Sequence, residues 1–123
     1  MLERKESPLK LKTEAFSDRI SKLYNYLQST KHEQVMSLQI YRSGTSIGAN
    51  VSESRFAQSE ADFVNKLCIA LKEAGETEYW LGRLYHSGKI DKNGYESLLG
   101  DNTEIIKMLV TSIKTMKEKI AKK

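Results

Sequence analysis

One cysteine, one proline and two histidines in 123 residues close off several classes of protein at once. A lone Cys68 cannot form an intrachain disulfide, so a disulfide-stapled fold is excluded and a reducing cytoplasm is the expected setting. Two histidines, with no H-E-x-x-H and no C-x-x-C, leave nothing at metal-ligand spacing. Asp62, Glu73, Glu76 and Glu78 share a long helical pattern, but no Glu-x-x-His pair accompanies them, so the di-iron bundle pattern is missing. No metal and no cofactor are expected. No run approaches 18 apolar residues, and the N-terminal Met-Leu-Glu-Arg-Lys-Glu has no apolar stretch, so neither a membrane span nor a secretion signal is expected. Strand alternation, internal repeats and low-complexity segments are lacking too.

What is present is helical periodicity. Apolar content of 39% and charged content of 29% suit one ordinary globular domain, 1–123, with an N-terminal arm over 1–11 and a frayed tail over 121–123. Phe16, Ile20, Leu23, Tyr24 and Leu27 repeat at helical steps and predict a first helix from about Lys12 to Ser29. A second runs from about Glu33 to Arg55. Ser59 with Asp62 reads as a capping box opening a third, which carries Phe63, Leu67, Ala70, Ala74, Leu81 and Tyr85 and stops at Gly88. Asp91 caps a fourth, with Tyr95, Leu98, Ile105, Leu109, Ile113, Met116 and Ile120 on one face; Gly94, Gly100 and Asn102 weaken its first turns. Short connections make the neighbours antiparallel. The fold class is therefore all-α, an antiparallel up-down-up-down four-helix bundle.

The most informative stretch is 39–53, Gln-Ile-Tyr-Arg-Ser-Gly-Thr-Ser-Ile-Gly-Ala-Asn-Val-Ser-Glu. At about 100° per residue, Gln39, Arg42, Ser46, Asn50 and Glu53 fall in an arc of about 80°, beside an apolar stripe and a stripe of small residues. Side chains that make defined hydrogen bonds, in place of a Lys/Glu face, predict a structural network or an oligomer interface. In it Arg42 pairs with Glu53, Glu73 or a neighbouring subunit's carboxylate. The other reading has Gln39, Arg42 and Asn50 lining a groove that holds a ligand. On the third helix, Ile69 and Trp80 lie well round from the main stripe with Glu73 between them. That excess of apolar surface predicts a subunit interface.

This stretch resembles the signature of the small bacterial four-helix bundle proteins, also called 23S rRNA-intervening-sequence proteins. Asp62 to Leu81, "DFVNKLCIALKEAGETEYWL", is similar to that family's third helix, and the likeness runs from about Phe16 to Ile120. It implies an all-α protomer assembled into a homo-oligomeric, five-fold ring. Relatives of this kind include proteins encoded within ribosomal RNA insertions and an accessory protein of diversity-generating retroelements. The resemblance thus implies RNA or DNA as partner and, through the retroelement relatives, a reverse transcriptase.

Charge agrees in sign. The net charge is +4 and the isoelectric point near 9.1, enough to permit polyanion binding. Arg4, Lys5, Lys10 and Lys12 at one terminus and Lys114, Lys117, Lys119, Lys122 and Lys123 at the other come to the same end of such a bundle. They form the candidate nucleic-acid surface, with a solvated, frayed terminus as the bland reading. Without a readable helix-turn-helix, zinc finger or aromatic platform, binding should run through phosphates with low sequence specificity. Gly44-Thr45-Ser46-Ile47-Gly48 matches G-x-S-x-G, but it sits inside a helix, without the strand-to-helix elbow that makes such a serine reactive. Cys68 reads as a small core residue, and His32 and His86 as surface residues at helix ends. The expected function is a non-enzymatic oligomeric scaffold or accessory protein binding structured RNA or DNA; the alternative is a protein–protein adaptor with no nucleic-acid role.

Overall fold

The computed structural model describes residues 7–123. It contains α1 (Pro8–Ser29), α2 (Val35–Ser54), α3 (Glu60–His86) and α4 (Lys92–Ala121). No strand occurs among the described residues. Each helix packs on the next, and α4 closes the bundle against α1 along its lightest seam.

The helix starts explain where expectation and structure differ. α1 begins at Pro8, not Lys12, so 8–11 belong to the helix and not to an arm. Proline is favourable at a first helical position, where its missing N–H costs nothing, and the Ser7 hydroxyl caps Lys10 N at 3.0 Å. α2 begins at Val35 because Glu33 stays outside and its carboxylate accepts from the amides of Val35, Met36 and Ser37. Ser59 does cap α3, through Asp62 N at 3.0 Å. The returning carboxylate bond goes to Gln58 N, not to Ser59. α4 runs unbroken through Gly100, with Asp91 accepting from Gly94 N.

The core holds Phe16, Ile20, Leu27, Ile40, Ile47, Leu67, Leu81, Leu84, Ile105 and Leu109, all fully buried. Cys68 is half-buried and lies against the edge of this core. The α1–α2 seam is tight because it is built on glycine: a Cβ at Gly44 would sit 2.8 Å from Ile20 Cγ1. Where the core takes polar residues, their donors bond within a helix or across a seam, and Asn102 Oδ1 has no partner among the described residues. Thr77 Oγ1 donates to Glu73 O and reaches Ser43 Oγ across the α2–α3 seam at 2.9 Å. Asn102 Nδ2 donates to Ala74 O.

Candidate nucleic-acid interface

The bundle has two unlike ends. At the terminal end α1 and α3 begin and α2 and α4 finish; at the two-loop end lie the α1–α2 and α3–α4 connections. The sequence places its candidate cations at the terminal end. The structure pairs many of them instead.

Lys10 bridges to Glu14 at 2.9 Å, one helical turn along α1. Lys12 reaches across the α1–α4 seam to Asp101 at 3.2 Å and Glu104 at 3.4 Å. Asp101 also takes Arg19 Nη1 at 2.7 Å, so one carboxylate holds two cations. Burial works to raise the Asp101 pKa, but the hydrogen bonds from Arg19 and Lys12 outweigh it and hold the group below its usual range. The Asp101 hydrogen bond raises Lys12 in turn. Glu60, at the start of α3, draws in both Lys119 and Lys123, and the Lys123 hydrogen bond lowers its pKa. Lys114, Lys117 and Lys122 have no ion pair among the described residues. Arg4 and Lys5 lie outside the described residues.

The two-loop end reverses this. Lys22, Lys31 and Lys89 line one groove of about 620 Å³ with Leu23, Tyr26, Ile90 and Leu98, and none of the three has an ion pair among the described residues. The local turns bring them there. Gly88 ends α3 at φ 77°, a backbone conformation that glycine adopts without strain. Lys89 N then donates back to Leu84 O at 2.9 Å. His32, at φ 52°, makes the corresponding turn after α1, and the Lys31 amide donates to Tyr26 O at 3.4 Å. Asp91, the one carboxylate in the lining, is directed at the Gly94 amide as the α4 cap. Sequence reasoning missed this cluster, because its lysines belong to three separate segments.

Within the protomer, the polar stripe of α2 does not form a buried network. Arg42 and Glu53 are exposed; Gln39, Ser46 and Asn50 are half-buried. Glu53 pairs with Lys66 at 3.4 Å, not with Arg42, and Asn50 Nδ2 turns back to Ser46 O within its own helix. Arg42 has no ion pair among the described residues, with Glu73 or any other carboxylate. The correction has a plain cause: the stripe sits round the helix from Ile40, Ile47 and Val51, on the outer shoulder of the α2–α3 seam. Lys66, Ile69, Glu73 and Trp80 share one α3 face at helical spacing, and the Lys66–Glu53 bridge turns that face toward α2. The two residue sets named as an interface therefore border one surface. Glu73, half-buried there, is raised first by desolvation and then by Glu76. Trp80 Nε1 is shielded from solvent without an acceptor.

Ser46 lies mid-helix. Ser43 meets Thr77 across an antiparallel seam, so His86 is offset from Ser46 by about 18 Å along the axis at 1.5 Å per residue. No group of three or more His, Cys, Asp or Glu among the described residues could hold a metal ion, and no described helix is long and apolar enough to cross a membrane.

The fold has a close relative of known structure. A protein with unknown function from the S23 ribosomal protein family of Bacteroides thetaiotaomicron VPI-5482 superposes with a TM-score of 0.85 at 55% identity. The match covers 86% of this chain and 98% of that one. No curated protein matches the chain. The family description "23S rRNA-intervening sequence protein" matches residues 6–111, nearly the whole domain with all four helices represented. The chain belongs to the 23S rRNA-intervening sequence protein family.

Proposed function

We propose that this protein is a non-enzymatic, self-assembling scaffold of the cytoplasm that engages RNA or DNA through phosphate contacts. The observation that carries the reading is that lysines at both ends have no ion-pair partner among the described residues, among them Lys22, Lys31 and Lys89 at the two-loop end and Lys114, Lys117 and Lys122 at the other. Such ammonium groups are free to displace counterions from a phosphate backbone without first breaking an ion pair. A ring of protomers, five by family resemblance, would repeat the cations around its axis and add their effects.

Self-assembly draws its support from the α2–α3 shoulder. A desolvated Glu73 and a Trp80 Nε1 without an acceptor among the described residues are groups that a neighbouring subunit would satisfy, and the exposed Arg42 of the same surface has no ion pair among the described residues. The same surface supports the second reading, a protein adaptor without a nucleic-acid role. Titrating structured RNA, duplex DNA and single strands at about 50 and about 200 mM salt separates the two. Phosphate binding falls at least tenfold over that range; an apolar contact does not. Absence of binding at low salt from an assembled oligomer would overturn the nucleic-acid reading and leave the adaptor.

A further inference from the structure

We propose that the groove at the two-loop end binds an unpaired nucleotide unit. Lys22, Lys31 and Lys89 hold its phosphate, and its base lies against Tyr26 and the apolar floor. The inference rests on the nucleic-acid reading above and deepens it by naming the place and the form of the ligand.

Three observations carry it. The groove is of ligand size: about 620 Å³ falls within the range of small-molecule sites and exceeds what a bare phosphate needs. Its lining is divided in the way a nucleotide is divided. Lysines from α1, the α1–α2 connection and the α3–α4 connection supply the cations, while Leu23, Ile90 and Leu98 supply an apolar floor. Tyr26 stands at the wall, 42% exposed, with the Lys31 ammonium 6.0 Å from its ring centroid. An exposed aromatic ring beside cations is the element on which single-stranded bases stack, regardless of their identity. Finally, the lining keeps a surplus of positive charge: three lysines face one carboxylate, Asp91, which caps α4; Glu33 caps α2, and neither acid forms an ion pair with a lysine among the described residues. Three like charges round one groove repel one another, and a phosphate relieves that repulsion. A paired base has no free face to offer Tyr26, so the site favours single strands, loops and ends over duplex.

The test is an amide NMR titration of the intact protein, run with affinity measurements. The probes are adenosine 5′-monophosphate, adenosine, inorganic phosphate, a ten-nucleotide oligoadenylate and a duplex of equal length. The expected result is a saturable shift of the Gly88, Lys89 and Gly94 amides with the oligonucleotide, not reproduced by adenosine. A matching shift with the free monophosphate identifies a soluble nucleotide as sufficient; a shift with the oligonucleotide alone identifies the strand. Both support the groove. Tyr26→Ala should weaken single-strand binding about tenfold while leaving the salt slope and duplex binding unchanged. Replacing Lys22, Lys31 and Lys89 with Gln together should weaken it further and reduce the slope by about 0.7, the value for one phosphate contact on a single strand. Helicity measured in parallel certifies the fold of each variant. If both variants bind the oligonucleotide as the wild type does, the groove is overturned while nucleic-acid binding stands. If the wild type binds no nucleic acid at low salt, both fall together.

Discussion

The two ends of the bundle carry similar cations to different effect. At the terminal end, Lys10, Lys12, Lys119 and Lys123 are drawn into ion pairs by Glu14, Asp101, Glu104 and Glu60. At the two-loop end, the carboxylates of Glu33 and Asp91 face backbone amides, and the lysines stand free of ion pairs among the described residues. A count of basic residues therefore overstates the terminal end, where Lys114, Lys117 and Lys122 stay without an ion pair among the described residues, and misses the two-loop end. Availability depends on what each helix places opposite the lysine, and on whether a nearby acid already serves as a helix cap.

The contrast can be broken most severely at Asp101. Asp101→Ala leaves Lys12 and Arg19 without their shared anion across the lightest seam. A loss of about 1–2 kcal/mol is expected in denaturant unfolding, with the Lys12–Glu104 pair as partial relief. An unchanged midpoint would show that the α1–α4 ion pairs contribute nothing. Gly88→Ala acts at the other end. It forces an alanine to φ 77°, and a cost of about 1 kcal/mol is expected in the same assay. Because Gly88 positions Lys89, single-strand affinity should fall as well. Glu60→Gln sharpens the contrast from the opposite side. Freed of their anion, Lys119 and Lys123 join Lys114, Lys117 and Lys122, and nucleic-acid affinity at low salt should rise a few-fold, as read by anisotropy.

The smallest effect is on pH. Asp101 and Glu60 have depressed folded pKa values. Their contribution is therefore present above the ordinary carboxylate range and is lost as pH falls through the folded values. Glu73 has the opposite sign: what it contributes is held below the ordinary value and lost as pH rises through its raised one. Stability should decline below about pH 4, and less steeply in Asp101→Asn than in the wild type. An identical slope would contradict the assignment.

Much of the fold was legible in the sequence because one-face apolar repeats leave little choice. Phe16, Ile20 and Leu27 in α1 and Leu98, Ile105 and Leu109 in α4 are buried where the period puts them. The G-x-x-x-G spacing at Gly44 and Gly48 marks close approach, and Ile20 and Ser17 fill that space. The buried Thr13, Ser43, Thr77 and Asn102 were not legible. A small polar residue on an apolar face looks like a flaw until its acceptor is known, within the helix for Thr13 Oγ1 donating to Leu9 O and on α3 for Asn102 Nδ2 donating to Ala74 O. The groove was not legible either. Lys22, Lys31 and Lys89 are unremarkable in sequence, and only the left-handed turns at His32 and Gly88 bring them together. The polar stripe of α2 was recognisable as a stripe. Its depth depends on which shoulder α3 covers, and periodicity within α2 does not contain that.

The most direct test compares the salt dependence of single-strand binding for two variants of equal charge change. One replaces Lys22, Lys31 and Lys89 with Gln; the other replaces Lys12, Lys119 and Lys123 with Gln. The account predicts that the first loses affinity and has a flatter slope of log K against log salt, while the second stays close to wild type because its lysines were already paired. The reverse ranking, with the second variant losing binding and the first retaining it, would contradict the account.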